Sequence, residues 1–308
     1  MQKRFNESLF TPILIIVIFA LIIAANFVPS DVLGMNDNPY LAAVAIQLLT
    51  YALPAIFYCR LRGRDFSAKL RLRFFSPSQL LYLFYTFGFL VCGSFIISIF
   101  MYNLSPSGFA ASAVTESAAF AMNNRFFDVV YIVVVFALIP AVTEEFLFRG
   151  IVIGEYENHG VVMAVTVSSL MFAMSHFSLE RFPVYLFAGI VLSSIMYATR
   201  STIAAIIVHA AHNIVVLLCE KYVLRIVDKQ NASLILLLII IGAVMLLCGM
   251  LSSYEAQGIY RKYADDNVPS DYVVIKKQNI FVRIAQVFFT PTFLVLVIIF
   301  VIAITTIY

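Results

Sequence analysis

The chain has 308 residues, 62% of them apolar and 12% charged, with a mean hydropathy of +0.97. Soluble domains carry about half apolar and about a quarter charged residues, so these proportions exclude both an ordinary soluble enzyme and a disordered chain. The formal net charge of +3 comes from basic residues in the loops between apolar runs, and gives no ground for a nucleic-acid partner.

Runs of about twenty apolar residues recur from end to end, each long enough to cross ~30 Å of hydrocarbon as a helix. In chain order they lie at 10–28, 40–59, 79–101, 127–149, 160–177, 183–199, 202–219, 232–251 and 285–307. They predict an all-α fold, a polytopic membrane helix bundle of about eight or nine transmembrane helices. The first run follows a short basic stretch, as a secretory signal core would. Its ~19 apolar residues exceed the usual 7–15 of such a core, so it reads as a span. The fifth and sixth runs are short enough to be broken or tilted. Three regions result: 1–126 with the N-terminal helices and loops, 127–219 as a helical core, and 220–308 with the C-terminal helices and a cytoplasmic segment at 252–284. Only 102–126 and 252–284 have room for soluble structure. Cys59, Cys92, Cys219 and Cys248 lie in or at the ends of apolar runs with no Cys-x-x-Cys pair, and read as small core residues.

Basic residues set the expected orientation. With Lys3 and Arg4 in the cytoplasm, the same side collects Arg60, Arg62, Arg64, Lys69, Arg71, Arg73, Arg149, Arg200, Arg261, Lys262, Lys276, Lys277 and Arg283. The opposite side holds Arg125, Arg181, Lys221, Arg225 and Lys229. A multi-pass protein with a cytoplasmic N-terminus is the expectation. The lack of Trp and the abundance of Phe and Tyr read as a bacterial plasma membrane.

Three polar clusters interrupt the apolar runs: Glu144-Glu145 with Arg149, then Phe172 with His176, then His209 with His212 and Asn213. A charge at the bilayer centre costs at least ~2.5–3.5 kcal/mol on insertion scales, so such residues point to function. Glu145 and Arg149 are four apart on one helical face and can offset each other's burial, which reads as a structural pair. Glu144 points elsewhere, without a built-in partner, as suits a general base. The polar stretch 155–160 is a plausible hairpin. Glu144 and His176 each lie sixteen residues from Gly160, so in an antiparallel pair they stand at one level. Phe172, one turn before His176, can pack on its ring. His209 is only nine residues past Arg200, so the hairpin must protrude or helices must tilt for the clusters to meet. His212 reads equally as a supporting donor or a packed neighbour, His159 as a solvated loop residue, and Tyr156 as filler.

The three motifs, Glu144-Glu145-x-x-x-Arg149, Phe172-x-x-x-His176 and His209-x-x-x-Asn213, resemble in type and order those of the CPBP (Abi) family of intramembrane proteases. These are the CAAX prenyl proteases and bacteriocin-processing enzymes, and the resemblance covers about residues 127–219. It implies an endopeptidase that hydrolyses peptide bonds of membrane-associated peptides or proteins. Glu144 and His176 would activate a water, and His209 and Asn213 would hold the oxyanion, with Glu145, Arg149, Phe172 and His212 in support. The residue types agree with those roles. The resemblance leaves open a Zn²⁺ held by Glu144, His176 and His209, since the family is read both as metal-dependent and as metal-independent. The metalloprotease helix motif His-Glu-x-x-His is absent, as are Gly-x-Ser-x-Gly and Gly-x-Gly-Asp. Expected partners are a peptide or membrane-protein substrate and the lipid bilayer. For a bacterial protein, small peptide precursors or membrane-protein tails suit better than prenylated proteins. Two other classes fit the polar clusters: a proton-coupled transporter with a Glu/His relay, and a non-catalytic membrane scaffold. No paired repeats with Gly or Pro breaks support the transporter.

Overall fold

The computed structural model describes residues 7–29, 32, 39–105, 126–228, 232–268 and 279–307, and every regular element among them is helical. The helices are α1 (Glu7–Ala25), α2 (Tyr40–Arg62), α3 (Pro77–Leu104), α4 (Val129–His159), α5 (Val161–Met174), α6 (Phe182–Thr199), α7 (Thr202–Asp228), α8 (Ala232–Asp265), α9 (Ile280–Phe288) and α10 (Pro291–Thr306). Each of the nine apolar runs is helical. By length and composition six helices among the described residues can cross a bilayer, or seven if α9 with α10, bent by 61°, is one span. The apolar stretches of the first and fifth runs, Leu9–Ala25 and Val161–Met174, are shorter. The fifth stops at Met174 because Ser175 and His176 form a turn and Phe177 takes a left-handed φ of 46°. In the last run Thr290 is extended before Pro291, and its hydroxyl caps Phe293 N, as the steric restriction on a residue preceding proline requires. The segment 102–126 falls mostly outside the described residues, as does 269–278 of the expected cytoplasmic segment. The part at 252–265 continues α8 as helix.

Two long helices change pitch near a proline. A π-helical turn at Leu48–Ala52 precedes Pro54 in α2, and another at Val134–Leu138 precedes Pro140 in α4. Proline offers no N–H and its ring crowds the carbonyl four residues back, so the extra residue per turn relieves the misfit. A third π turn, Phe146–Val152, directly follows the Glu pair; such turns recur at functional sites.

α5 and α6 cross closely at Gly189, where a Cβ would lie 2.9 Å from Ser169 Cα. Small residues allow that approach between membrane helices. The other face of α6 packs with α7 and α3. The segment between α2 and α3 clamps one end of the bundle. Its Leu70 carbonyl accepts from Thr202 Oγ1 at 2.7 Å, its Arg71 carbonyl from Thr202 N at 3.0 Å, and Arg71 pairs with Glu157 at 2.7 Å. Leu70 also lies against Gly150, where an added Cβ would meet its Cδ2 at 3.3 Å. Gly150 and Thr202 therefore stand at one level. Glu144 is six residues inward from it and His209 seven, about 9 and 10 Å along their helices. The hairpin beyond Gly150 does protrude, and the depth mismatch expected between α4 and α7 is removed.

Candidate active site

α4 brings Glu144 and Glu145 to the bundle interior, both buried among apolar neighbours. Glu145 Oε1 accepts from Arg149 Nη1 at 2.7 Å and from His209 Nδ1 at 2.8 Å. Arg149 is fully buried, donates from Nη2 to Gly189 O at 3.0 Å, and lies over the Phe172 ring at 4.7 Å. The pair forms as its spacing implies, and it also holds a histidine. A carboxylate shared with an arginine is an acceptor only, so His209 carries its proton on Nδ1 and turns Nε2 toward Glu144.

His176 is fixed in the same sense. Its Nδ1 lies 2.9 Å from Phe172 O, and a carbonyl can only accept, so Nδ1 donates and Nε2 is left for the cleft. Glu144 Oε2 is 4.0 Å from His176 Nε2 and 4.0 Å from His209 Nε2. That is too far for a direct hydrogen bond, and is the span of one water hydrogen-bonded to both groups at about 2.8 Å. Phe172 packs edge-on against both imidazoles, with centroids at 4.8 and 5.8 Å.

A cleft of about 240 Å³ opens on these groups, lined further by Asn213, Val216, Leu217 and Glu220 of α7, by Arg181, Val184, Tyr185 and Ala188 at the start of α6, and by Phe95 and Phe136. Asn213 lies one turn from His209 on this wall. His212 also lines it, but its Nε2 is 3.0 Å from Ser94 Oγ of α3, so it joins the α3 contact and not the Glu144 cluster. His159 and Tyr156 lie in the hairpin away from the cleft, their rings 6.1 Å apart.

Two groups at the site have no motif to announce them. Gln47 of α2 donates to Glu144 Oε1 at 3.3 Å and to Thr143 Oγ1 at 3.0 Å; a lone amide in an otherwise apolar run was its sequence signal. Tyr185 stacks on His176 with centroids 3.7 Å apart and planes 21° from parallel. It lies across a loop that no helical periodicity bridges.

The donor types suit zinc, and a carboxylate on Nδ1 is the contact that orients a metal-bound imidazole. The spacing does not suit it. Zinc bonds of about 2.0–2.2 Å place tetrahedral ligands about 3.3–3.5 Å apart, against 4.0 Å from Glu144 to each imidazole. Among the described residues no group of three His, Cys, Asp or Glu is placed to hold an ion.

A family model described as type II CAAX prenyl endopeptidase Rce1-like matches residues 126–215. Over 84 residues the chain is 32% identical to a protein named membrane-embedded CAAX protease MroQ, from Staphylococcus aureus (strain USA300). That similarity takes in 25% of this chain and 34% of the relative, so the chain spans about a third of the curated relative it matches. No solved structure matches significantly. With α4, the turn after α5, and α7 bringing Glu144, His176 and His209 together inside a multi-pass bundle, segment 126–215 of this chain is similar to the type II CAAX prenyl endopeptidase Rce1-like family.

Proposed function

We propose that this protein is an intramembrane endopeptidase of the glutamate type, acting on peptides or membrane-protein tails. The observation that carries the reading is the convergence of two imidazole Nε2 atoms on Glu144 Oε2, each at 4.0 Å, with both Nδ1 atoms already engaged. In this reading Glu144, with His176 beside it, takes a proton from the water that adds to the scissile carbonyl. That proton then passes to the leaving amine as the C–N bond breaks. The oxyanion formed in between accepts hydrogen bonds from Asn213 and from His209 Nε2. With Nδ1–H already on Glu145, His209 can donate from Nε2 only as the imidazolium. The carboxylate of Glu145 supports that charge. Gln47 orients Glu144 by donating to the oxygen that faces away from the imidazoles.

The reading is independent of a metal, because the donors are too widely spaced to close on zinc as they stand. The reading has the N-terminus in the cytoplasm, supported by the uneven distribution of Lys and Arg between alternate loops, and a bacterial plasma membrane, supported by the lack of Trp and the abundance of Phe and Tyr. The relative's name supports proteolysis. A proton-coupled transporter or an idle scaffold would have the same buried charges, and the three classes part on one experiment. Purified protein in vesicles is mixed with quenched fluorescent peptides carrying an apolar segment. Cleavage by the wild type and none by Glu144→Ala supports the protease; equal signals from both overturn it.

A further inference from the structure

His176 lies beyond the end of α5, in the turn that leads to α6, so no helix of its own holds its backbone. Its neighbour Phe177 has a φ of 46°, a region that side chains with bulk rarely occupy. Something outside α5 has to keep the imidazole opposite Glu144. Tyr185 covers its face, stacked at 3.7 Å. Tyr185 is one turn into α6 from Arg181, whose carbonyl accepts its N–H at 3.1 Å. Arg181 in turn donates from Nη1 to Glu220 Oε1 at 2.9 Å, with the two side chains only 11% and 6% exposed. Glu220 stands on α7, on the cleft wall three turns beyond His209. A continuous set of contacts thus runs from α7 through Glu220, Arg181 and Tyr185 back to His176.

A mostly buried ion pair between two elements is a poor source of net stability, because desolvation offsets most of the attraction. Its value here lies in geometry. His209 and Glu220 ride on one helix, so a tie from Glu220 to the loop that carries His176 fixes the two imidazoles relative to each other. We infer that Arg181, Glu220 and Tyr185 are positioning residues that hold His176 against Glu144, an inference that rests on the proteolytic reading given above. None of the three belongs to the Glu-Glu-x-x-x-Arg, Phe-x-x-x-His or His-x-x-x-Asn motifs.

Two measurements on the full-length protein in detergent test this, one of them without any substrate. In protein labelled on the histidine rings, the His176 signal is identified by its loss in His176→Ala. Stacking on Tyr185 shifts its ring protons upfield. Glu220→Gln and Arg181→Gln are expected to move that signal toward the unstacked position or broaden it. Arg181→Lys, which keeps a cation, should move it less, and the exchange Arg181→Glu with Glu220→Arg should restore it. On the quenched peptides, kcat should fall about 10- to 100-fold in Glu220→Gln with KM nearly unchanged and with the melting temperature retained, a loss typical of misplaced acid–base groups. An unmoved His176 signal in Glu220→Gln overturns the inference. So does a rise in KM alone, which marks a substrate subsite instead. So does a drop in kcat that the charge exchange cannot recover. A signal that moves as expected in a protein that cleaves nothing leaves the positioning intact and removes the proteolytic reading.

Discussion

At the scale of single residues, the two carboxylates of the Glu pair differ in what surrounds them. Glu145 is held by Arg149 and His209 at 2.7 and 2.8 Å, whereas Glu144 has only the Gln47 amide at 3.3 Å and two imidazoles at a water's distance. Replacing Glu144 or His176 with Ala should therefore abolish cleavage of the quenched peptides while the protein still inserts and melts cooperatively. Near-normal cleavage by either purified variant would falsify the assignment. Arg149→Ala should behave differently. It leaves Glu145 short of its cation inside the bundle, a loss of roughly 3–5 kcal/mol for a broken buried pair. Reduced yield and a lower melting temperature in detergent should accompany its loss of activity. Asn213→Ala removes one donor from the oxyanion and should lower kcat by about 10²–10³, with the melting temperature unchanged. An intact kcat in that variant would take Asn213 out of the mechanism.

At the scale of elements, Gly189 joins two functions at one point: its missing Cβ lets α5 and α6 approach, and its carbonyl receives Arg149. Gly189→Ala would set a methyl against the Ser169 backbone. Such overpacking costs about 1–3 kcal/mol and should displace the carbonyl from the guanidinium. A lower melting temperature together with reduced activity is expected, and a silent substitution would show that the crossing can relax. How far these elements could be read beforehand varied with how local their causes are. The equal distance of Glu144 and His176 from Gly160 put them at one level correctly, because a hairpin between neighbouring helices sets its own register. The end of α5 was not legible: Phe177 prolongs the apolar run, and only its left-handed backbone shows that the helix has stopped. The level of His209 was not legible either, since it depends on Leu70, a residue more than a hundred positions away in the sequence.

At the scale of the whole molecule, the site is larger than the segment that carries the motifs. Gln47 and Ser94 reach it from α2 and α3, outside residues 126–215. A core can be recognised from its own motifs; the helices that complete it carry no motif, only isolated polar residues such as Gln47 and Ser94 in apolar runs. A Gln47→Ala variant should accordingly keep the fold and lose part of kcat, a change that steady-state kinetics in vesicles would register. Metal dependence is also a property of the assembled site. Elemental analysis of the purified protein should find well under one zinc per chain, with activity unaffected by a chelator. One zinc per chain, with activity lost on its removal and restored on its return, would overturn the metal-independent mechanism.

The clamp at Leu70 has a consequence for what can be cut. Lys69, Arg71 and Arg73 flank that residue, and such basic side chains mark the polar edge of a membrane protein. Glu144 and His209 stand about 9 and 10 Å inward from there. Leu70 packed on Gly150 closes that end, and the cleft runs the other way, toward Arg181 and Glu220, so a peptide entering it has to lie extended for its carbonyl to meet the water. A continuous α-helix, with every backbone carbonyl already hydrogen-bonded to its own turn, offers no such strand. Susceptibility should then follow how readily a polypeptide unravels near the headgroups: helix-breaking Gly or Pro placed there should speed hydrolysis, and a run of Leu should protect.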